Sequence, residues 1–151
     1  MAYTITLFVR TSEPVAQRAA EDLVSQLSQR DPSMTAVPSG DGVGWASYEL
    51  VTGRDLHARM TGFERDLLPR EPVAWPLSLT VDTRPDSVKR QIAWGLQNGG
   101  PLSLDSCDGI VEVTLVGDLH DWDLVELLFD LATERWDAII CDDHDGFGLG
   151  Q

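Results

Sequence analysis

The chain has 151 residues, 42% of them hydrophobic and 24% charged, enough apolar material for one domain with a core, so disorder is excluded as its default state. Its 25 Asp and Glu against 11 Lys and Arg give a net charge of −14 at pH 7. A surface of that sign argues against direct binding to nucleic acid or to an anionic membrane, both of which run on cations that neutralise phosphates.

No apolar run approaches the roughly 18 residues that a membrane-spanning helix needs. Residues 1–10 lack the basic stretch and apolar core of a secretory leader, so the reading is a cytoplasmic protein that begins at Met1. The basic residues are ten Arg and the single Lys89, and Asn98 is the only Asn, a bias that suits a GC-rich bacterial genome.

Residues 4–9 read as a strand, and within it Thr4-Ile5-Thr6-Leu7 alternate polar and apolar, as a strand with one wet face does. Residues 14–29 place Val15, Ala19, Leu23 and Leu27 at a spacing of four, which predicts a helix capped by Ser12 and closed by Asp31-Pro32. Residues 31–44 hold three Gly, two Pro and two Ser and read as a long loop. Within it, Gly40-Asp41-Gly42-Val43-Gly44 fails as a dinucleotide fingerprint. Trp45 stands where the third glycine belongs, and the motif precedes a strand when it should follow one. No Lys follows to make a phosphate loop, so the segment reads as a flexible lead-in to a strand over residues 45–51.

Leu56, Met60, Phe63 and Leu67 at helical spacing predict a helix over residues 55–67, against which stands Gly62 in its middle. His57 on that helix reads as structural or exposed. A strand over 77–82, a helix over 86–96 closed by Asn98-Gly99-Gly100-Pro101, and a strand over 110–116 follow. Asp121 or Asp123 then opens a helix that runs to about Glu134. The last strand, 137–141, carries Ala138-Ile139-Ile140-Cys141, which reads as buried on both faces.

This order, β-α-β-(α)-β-α-β-α-β, predicts a single α+β or α/β domain over residues 1–151. About five strands form one sheet, with three or four helices mainly on one face, ferredoxin-like or related; a partly parallel sheet is the second choice, since the alternating strands do not suit two covered faces.

The charge is uneven. Residues 105–151 hold 13 acidic residues and one basic, Arg135, while residues 1–104 hold 12 acidic and 10 basic. Along the predicted last helix Asp123, Glu126, Asp130 and Glu134 recur at spacings of three and four, opposite Leu124, Val125, Leu128, Leu131 and Ala132. This sets acids about 5–6 Å apart on one face, extended by Asp121 and Asp137, with Trp122 and Trp136 at the two ends. Like charges so placed cost a few tenths of a kcal/mol per pair, so the fold alone does not ask for them. They serve solubility or a basic partner, and Asp142, Asp143 and Asp145 enlarge the same acidic surface.

Other chemistry is thinner. Asp143-His144-Asp145-Gly146 resembles part of a calcium loop, but aligning its glycine puts Cys141 where the first Asp must stand, which excludes an EF-hand. If the strands ending near Val116 and Cys141 are parallel neighbours, Asp118, His120, Asp142 and His144 emerge at one sheet edge, a two-Asp, two-His set fit for a transition metal. No Gly-x-Ser-x-Gly elbow is present. Cys107 sits beside Asp105 and Asp108, which blunt a thiol, and the two cysteines, Cys107 and Cys141, are expected at opposite strand ends and unpaired.

The function expected is therefore a small acidic binding protein that neutralises a basic partner. The concrete form is an immunity or antitoxin-type inhibitor of a toxin such as a nuclease, or a DNA-mimicking regulator of a nucleic-acid-binding protein. The binding residues are Asp121, Trp122, Asp123, Glu126, Asp130, Glu134, Asp137, Asp142, Asp143 and Asp145, with no cofactor. A metal-assisted hydrolase or small-ligand enzyme using Asp118, His120, Asp142 and His144, and a subunit of a larger assembly, are the alternatives.

Overall fold

The computed structural model describes residues 2–53, 77–116, 120–142 and 146–147. The elements run β1 (Ala2–Val9), α1 (Ala16–Arg30), β2 (Thr35–Gly42), β3 (Trp45–Val51), β4 (Leu77–Asp82), α2 (Pro85–Gln97), a 3-10 turn (Leu102–Ser106), β5 (Gly109–Val116), α3 (Trp122–Trp136) and β6 (Ile139–Asp142). The helix expected over 55–67, with Leu56, His57, Met60, Phe63 and Leu67, lies outside the described residues.

The described strands form one six-stranded sheet in the order β2-β3-β4-β5-β1-β6, every neighbouring pair antiparallel. The protein is thus α+β, with one strand more than expected. The partly parallel alternative does not form, because β1 inserts between β5 and β6. The sequence of β1 suits that central place: Leu7, Phe8 and Val9 are fully buried in succession, on both faces of the sheet. Conversely β6, expected to be buried on both faces, is an edge strand whose Ile139 and Ile140 are only partly buried.

Period-two alternation sorts the strands into two faces. Ile5, Leu7 and Val9 of β1, Leu77, Leu79 and Val81 of β4, and Val111, Val113 and Leu115 of β5 face α1 and α3, which bury Leu23, Leu27, Leu124, Leu128 and Leu131 against them. Each such side chain contributes about 1.5–3 kcal/mol by leaving water, and Leu7→Ala is expected to cost about 2–5 kcal/mol. On the opposite face α2 and the 3-10 turn cover one end, packing Val88, Ile92 and Leu104 on Phe8, Ile110 and Phe147. Two of the described helices therefore share one face, and the third takes the other. The polar residues facing away from α1 and α3, among them Ser47, Ser78 and Thr80, are partly buried, with the Ser47 and Thr80 hydroxyls 2.7 Å apart.

Segment 31–44, expected as a loop, contains β2. It is an edge strand with mostly exposed side chains and a register shift between Pro38 and Gly40, so it carries no apolar alternation to read. Its pairing is set by the hairpin: Gly42 and Trp45 face each other across the two-residue turn Val43-Gly44, with Gly44 at φ +81°. A Cβ on Gly42 would lie 2.3 Å from the indole nitrogen of Trp45, so only glycine fits beneath that ring.

Ser12 does not cap α1. Val15 holds the cap position with no side-chain hydrogen bond, and Ser12 adopts φ 53° in the preceding turn. Asp108, at the entry to β5, fixes that turn instead: its carboxylate accepts from the Thr11 amide at 2.7 Å and the Ser12 amide at 3.0 Å. The expected stop at Asp31 is observed, its amide donating to the Leu27 carbonyl.

Candidate functional site

Helix α3 opens where Asp121 holds the N-cap and its carboxylate accepts from the Leu124 amide at 3.2 Å. Thr52, at the end of β3, donates its hydroxyl to the same carboxylate at 2.5 Å. This satisfies one of the orphan amides of the first turn and ties the helix start to the sheet. Asp121 is accordingly buried, 8% exposed, and is a capping group, not part of an outer acidic surface.

From there the periodicity separates the side chains as expected. Leu124, Val125, Leu128, Leu131, Ala132 and Trp136 are buried. Asp123, Glu126, Asp130, Glu134 and Asp137 are exposed. Glu134 pairs with Arg30 of α1 at 2.9 Å, and Arg135 pairs with Asp22 of α1, so the C-terminal end of α3 is neutralised by its neighbour. Glu126 and Asp130 form no ion pair among the described residues. Asp137 adopts the left-handed conformation at φ 51° as the C-cap.

The two tryptophans flanking the helix part company. Trp136 is buried in the core, whereas Trp122 is 51% exposed. The Trp122 ring makes T-shaped contacts with Tyr3, centroids 6.3 Å apart and planes at 82°, and with His120, at 5.9 Å and 83°. Tyr3 donates its hydroxyl to the Asp142 carboxylate. Asp142 is 5% exposed, so it too is a buried structural acid and not part of an exposed surface.

The two ends Val116 and Asp142 do emerge at one edge of the sheet, since both β5 and β6 run antiparallel to β1, but they flank β1 and are not neighbours. Of the residues expected to converge there, His120 and Asp142 are described; Asp118 and His144 lie outside the described residues, as do Asp143 and Asp145. Among the described residues no group of three His, Cys, Asp or Glu side chains is arranged to hold a metal ion.

At the opposite edge four connections converge in a way that no sequence motif announces. The turn at Ser12, the hairpin tip at Val43, the β4–α2 junction at Thr83 and the entry to β5 at Cys107 enclose, with Val88 and Ile92 of α2, an open and largely apolar cleft of about 920 Å³. Arg84 at its rim is held by Asp82, which accepts from the Arg84 amide at 3.0 Å, from its guanidinium at 3.0 and 2.8 Å, and from Ser87 at 2.7 Å. Burial raises the Asp82 carboxyl, but these bonds and the adjacent positive charge more than offset it, leaving it below the ordinary value. Burial pushes the Cys107 thiol up; Arg10 opposes the shift and Asp108 adds to it. The expected acidic influence is thus real for Asp108 but secondary to desolvation. Cys107 and Cys141 are both buried and are not joined in a disulfide, as expected.

The chain matches no family model, no curated protein and no solved structure. Nothing among the described residues forms a helix long and apolar enough to cross a membrane.

Proposed function

We propose that this chain is a small acidic binding protein that docks a basic partner along α3. The observation that carries this reading is the state of Glu126 and Asp130: exposed, one helical turn apart, and without an ion pair among the described residues. At the other end of α3, Arg30 pairs with Glu134 and Arg135 with Asp22. Acids that have no ion partner among the described residues of a helix speed the approach of a cationic surface and disfavour neutral or acidic competitors. The concrete form of the proposal is an immunity or antitoxin-type inhibitor that occupies the substrate surface of a basic toxin such as a nuclease. Acid spacing of the same order as phosphate spacing along a nucleic-acid strand supports that form.

The docking residues of this proposal are Trp122, Asp123, Glu126 and Asp130, with Glu134 and Asp137 at the far end; Asp121 and Asp142 support the helix start from inside. The test is affinity capture from an extract of the source cells at low and high salt, with the Asp123→Asn, Glu126→Gln, Asp130→Asn variant in parallel. The expected result is a basic protein retained at low salt, released at high salt and lost with the variant. A partner that binds the variant equally well and withstands salt overturns the reading.

A further inference from the structure

The start of α3 carries a feature that net charge does not explain. Trp122 is large, apolar and 51% exposed, at a position where a polar residue would leave the helix intact. Its ring is nonetheless held. Tyr3 and His120 each pack against it in a T-shaped contact, with ring planes at 82° and 83°. Tyr3 is itself anchored through its hydroxyl to the buried Asp142, and Asp121 fastens the backbone on which Trp122 sits through Thr52 and Leu124. An indole so fixed loses little freedom when a ligand covers it, which favours tight contact.

Its surroundings choose the ligand. Asp123 and Glu126, one and four residues further on, are exposed, and residues four apart on a helix lie about 6 Å from each other at Cβ. The quadrupole of the indole presents a negative face to a cation. The positive end of the helix dipole opposes a cation here, but Asp121 accepts the Leu124 amide and Asp123 adds a charge in the first turn, offsetting that field.

We infer that the Trp122 ring, set between Tyr3 and His120, is a cation site that takes an arginine side chain of the basic partner; this rests on the docking role proposed for α3. A guanidinium stacks flat on the indole while its in-plane N–H edge reaches the Glu126 carboxylate. A lysine ammonium, more strongly hydrated and without a planar face, satisfies only one of the two at a time. The site thereby makes the docking face selective for arginine over lysine, which the acids alone do not.

The test uses the full chain labelled with nitrogen-15, its Trp122 indole resonance identified by its disappearance in Trp122→Phe. Two eight-residue peptides of alternating Gly-Arg and Gly-Lys are titrated in at low salt. The inference expects the Arg peptide to shift the Trp122 indole saturably and to bind about threefold or more tighter than the Lys peptide. It expects Trp122→Leu to remove that difference and Trp122→Phe to keep part of it, while Glu126→Gln weakens the Arg peptide. If the Arg peptide binds, and binding depends on Asp123, Glu126 and Asp130, yet the Trp122 resonance stays still and Trp122→Leu binds as well, the arginine site is wrong and the docking face stands. If the Arg peptide shifts the indole with unchanged affinity in the Asp123→Asn, Glu126→Gln, Asp130→Asn variant, the carboxylates take no part, and both the acidic docking face and the Glu126 half of the arginine site are wrong. Absence of binding by either peptide overturns both.

Discussion

Tyr3, near the start of the first strand, donates its hydroxyl to the carboxylate of Asp142, at the end of the last, across 139 positions of chain. The bond joins β1 to the edge strand β6 close to where the Asp142 and Gly146 backbones bond to each other. Because Asp142 is buried, its charge depends on donors inside the protein. Tyr3→Phe keeps the ring against Trp122 and removes only the donor. It is expected to cost about 1.5–3 kcal/mol in urea unfolding, the range for a hydrogen bond to a charged group. A loss under about 0.5 kcal/mol would show that the bond does not support the edge strand.

Asp82 makes stability depend on pH in a known direction. Its folded carboxyl titrates below its ordinary value, so the unfolded chain takes up a proton first as pH falls. The stabilisation is therefore complete above the ordinary aspartate range and is lost as pH drops through the lowered folded value. Asp82→Asn removes this contribution: the variant is expected to be less stable at pH 7 and to approach the parent in acid. A difference that is flat between pH 7 and pH 3 would refute the assignment.

Cys107 should be slow to react. Burial raises its thiol, and raises it further than Arg10 brings it down, so little thiolate is present at neutral pH. Alkylation of Cys107 in the folded protein, followed by peptide mass analysis, is expected to lag behind the same site in urea and to rise as pH increases past the ordinary thiol range. Reaction at equal rates in both states would mean that the cleft leaves the sulfur open.

The sequence made some of this architecture readable and hid the rest for physical reasons. Strands β3 and β4 and helix α2 were legible because aromatic and β-branched residues between turn formers and the Asn98-Gly99 stop are local signals. The outward row Asp123, Glu126 and Asp130 was legible because the same periodicity that buries Leu124 and Leu128 exposes them. Strand β2 was not, because an edge strand with Pro38 and two glycines gains its pairing from β3 and not from its own pattern. The order of β5, β1 and β6 depends on contacts between ends of the chain, which no local window contains. For the same reason the burial of Asp121 and Asp142 was hidden: their partners, Thr52 and Tyr3, are 69 and 139 residues away.

Gly42 allows a direct test of the hairpin that the sequence concealed. A methyl group there would lie 2.3 Å from the Trp45 indole nitrogen and 2.8 Å from the adjoining ring carbon, so the ring or the turn must move. Gly42→Ala is expected to destabilise the protein by about 1–3 kcal/mol, the range for overpacking, and to change the near-ultraviolet signal of Trp45. Val43→Ala, at the fully open tip of the same turn, is the control and should leave both unchanged. Equal behaviour of the two variants would mean that Trp45 does not lie over the hairpin.

The acids of α3 should oppose stability where they are proposed to serve binding. Glu126 and Asp130 stand four residues apart as like charges, with no ion pair among the described residues to relieve them. Replacing both by Gln and Asn should therefore raise stability, by about 0.2–0.5 kcal/mol at low ionic strength, and the gain should shrink as salt screens the repulsion. Glu134→Gln gives the opposite sign, because it breaks the exposed pair with Arg30 and is expected to cost up to about 1 kcal/mol. Thermal melts of the three proteins at two salt concentrations separate these outcomes. If the Glu126 and Asp130 changes destabilise the chain as Glu134→Gln does, those carboxylates are structural and the case for a docking face on α3 loses its physical basis.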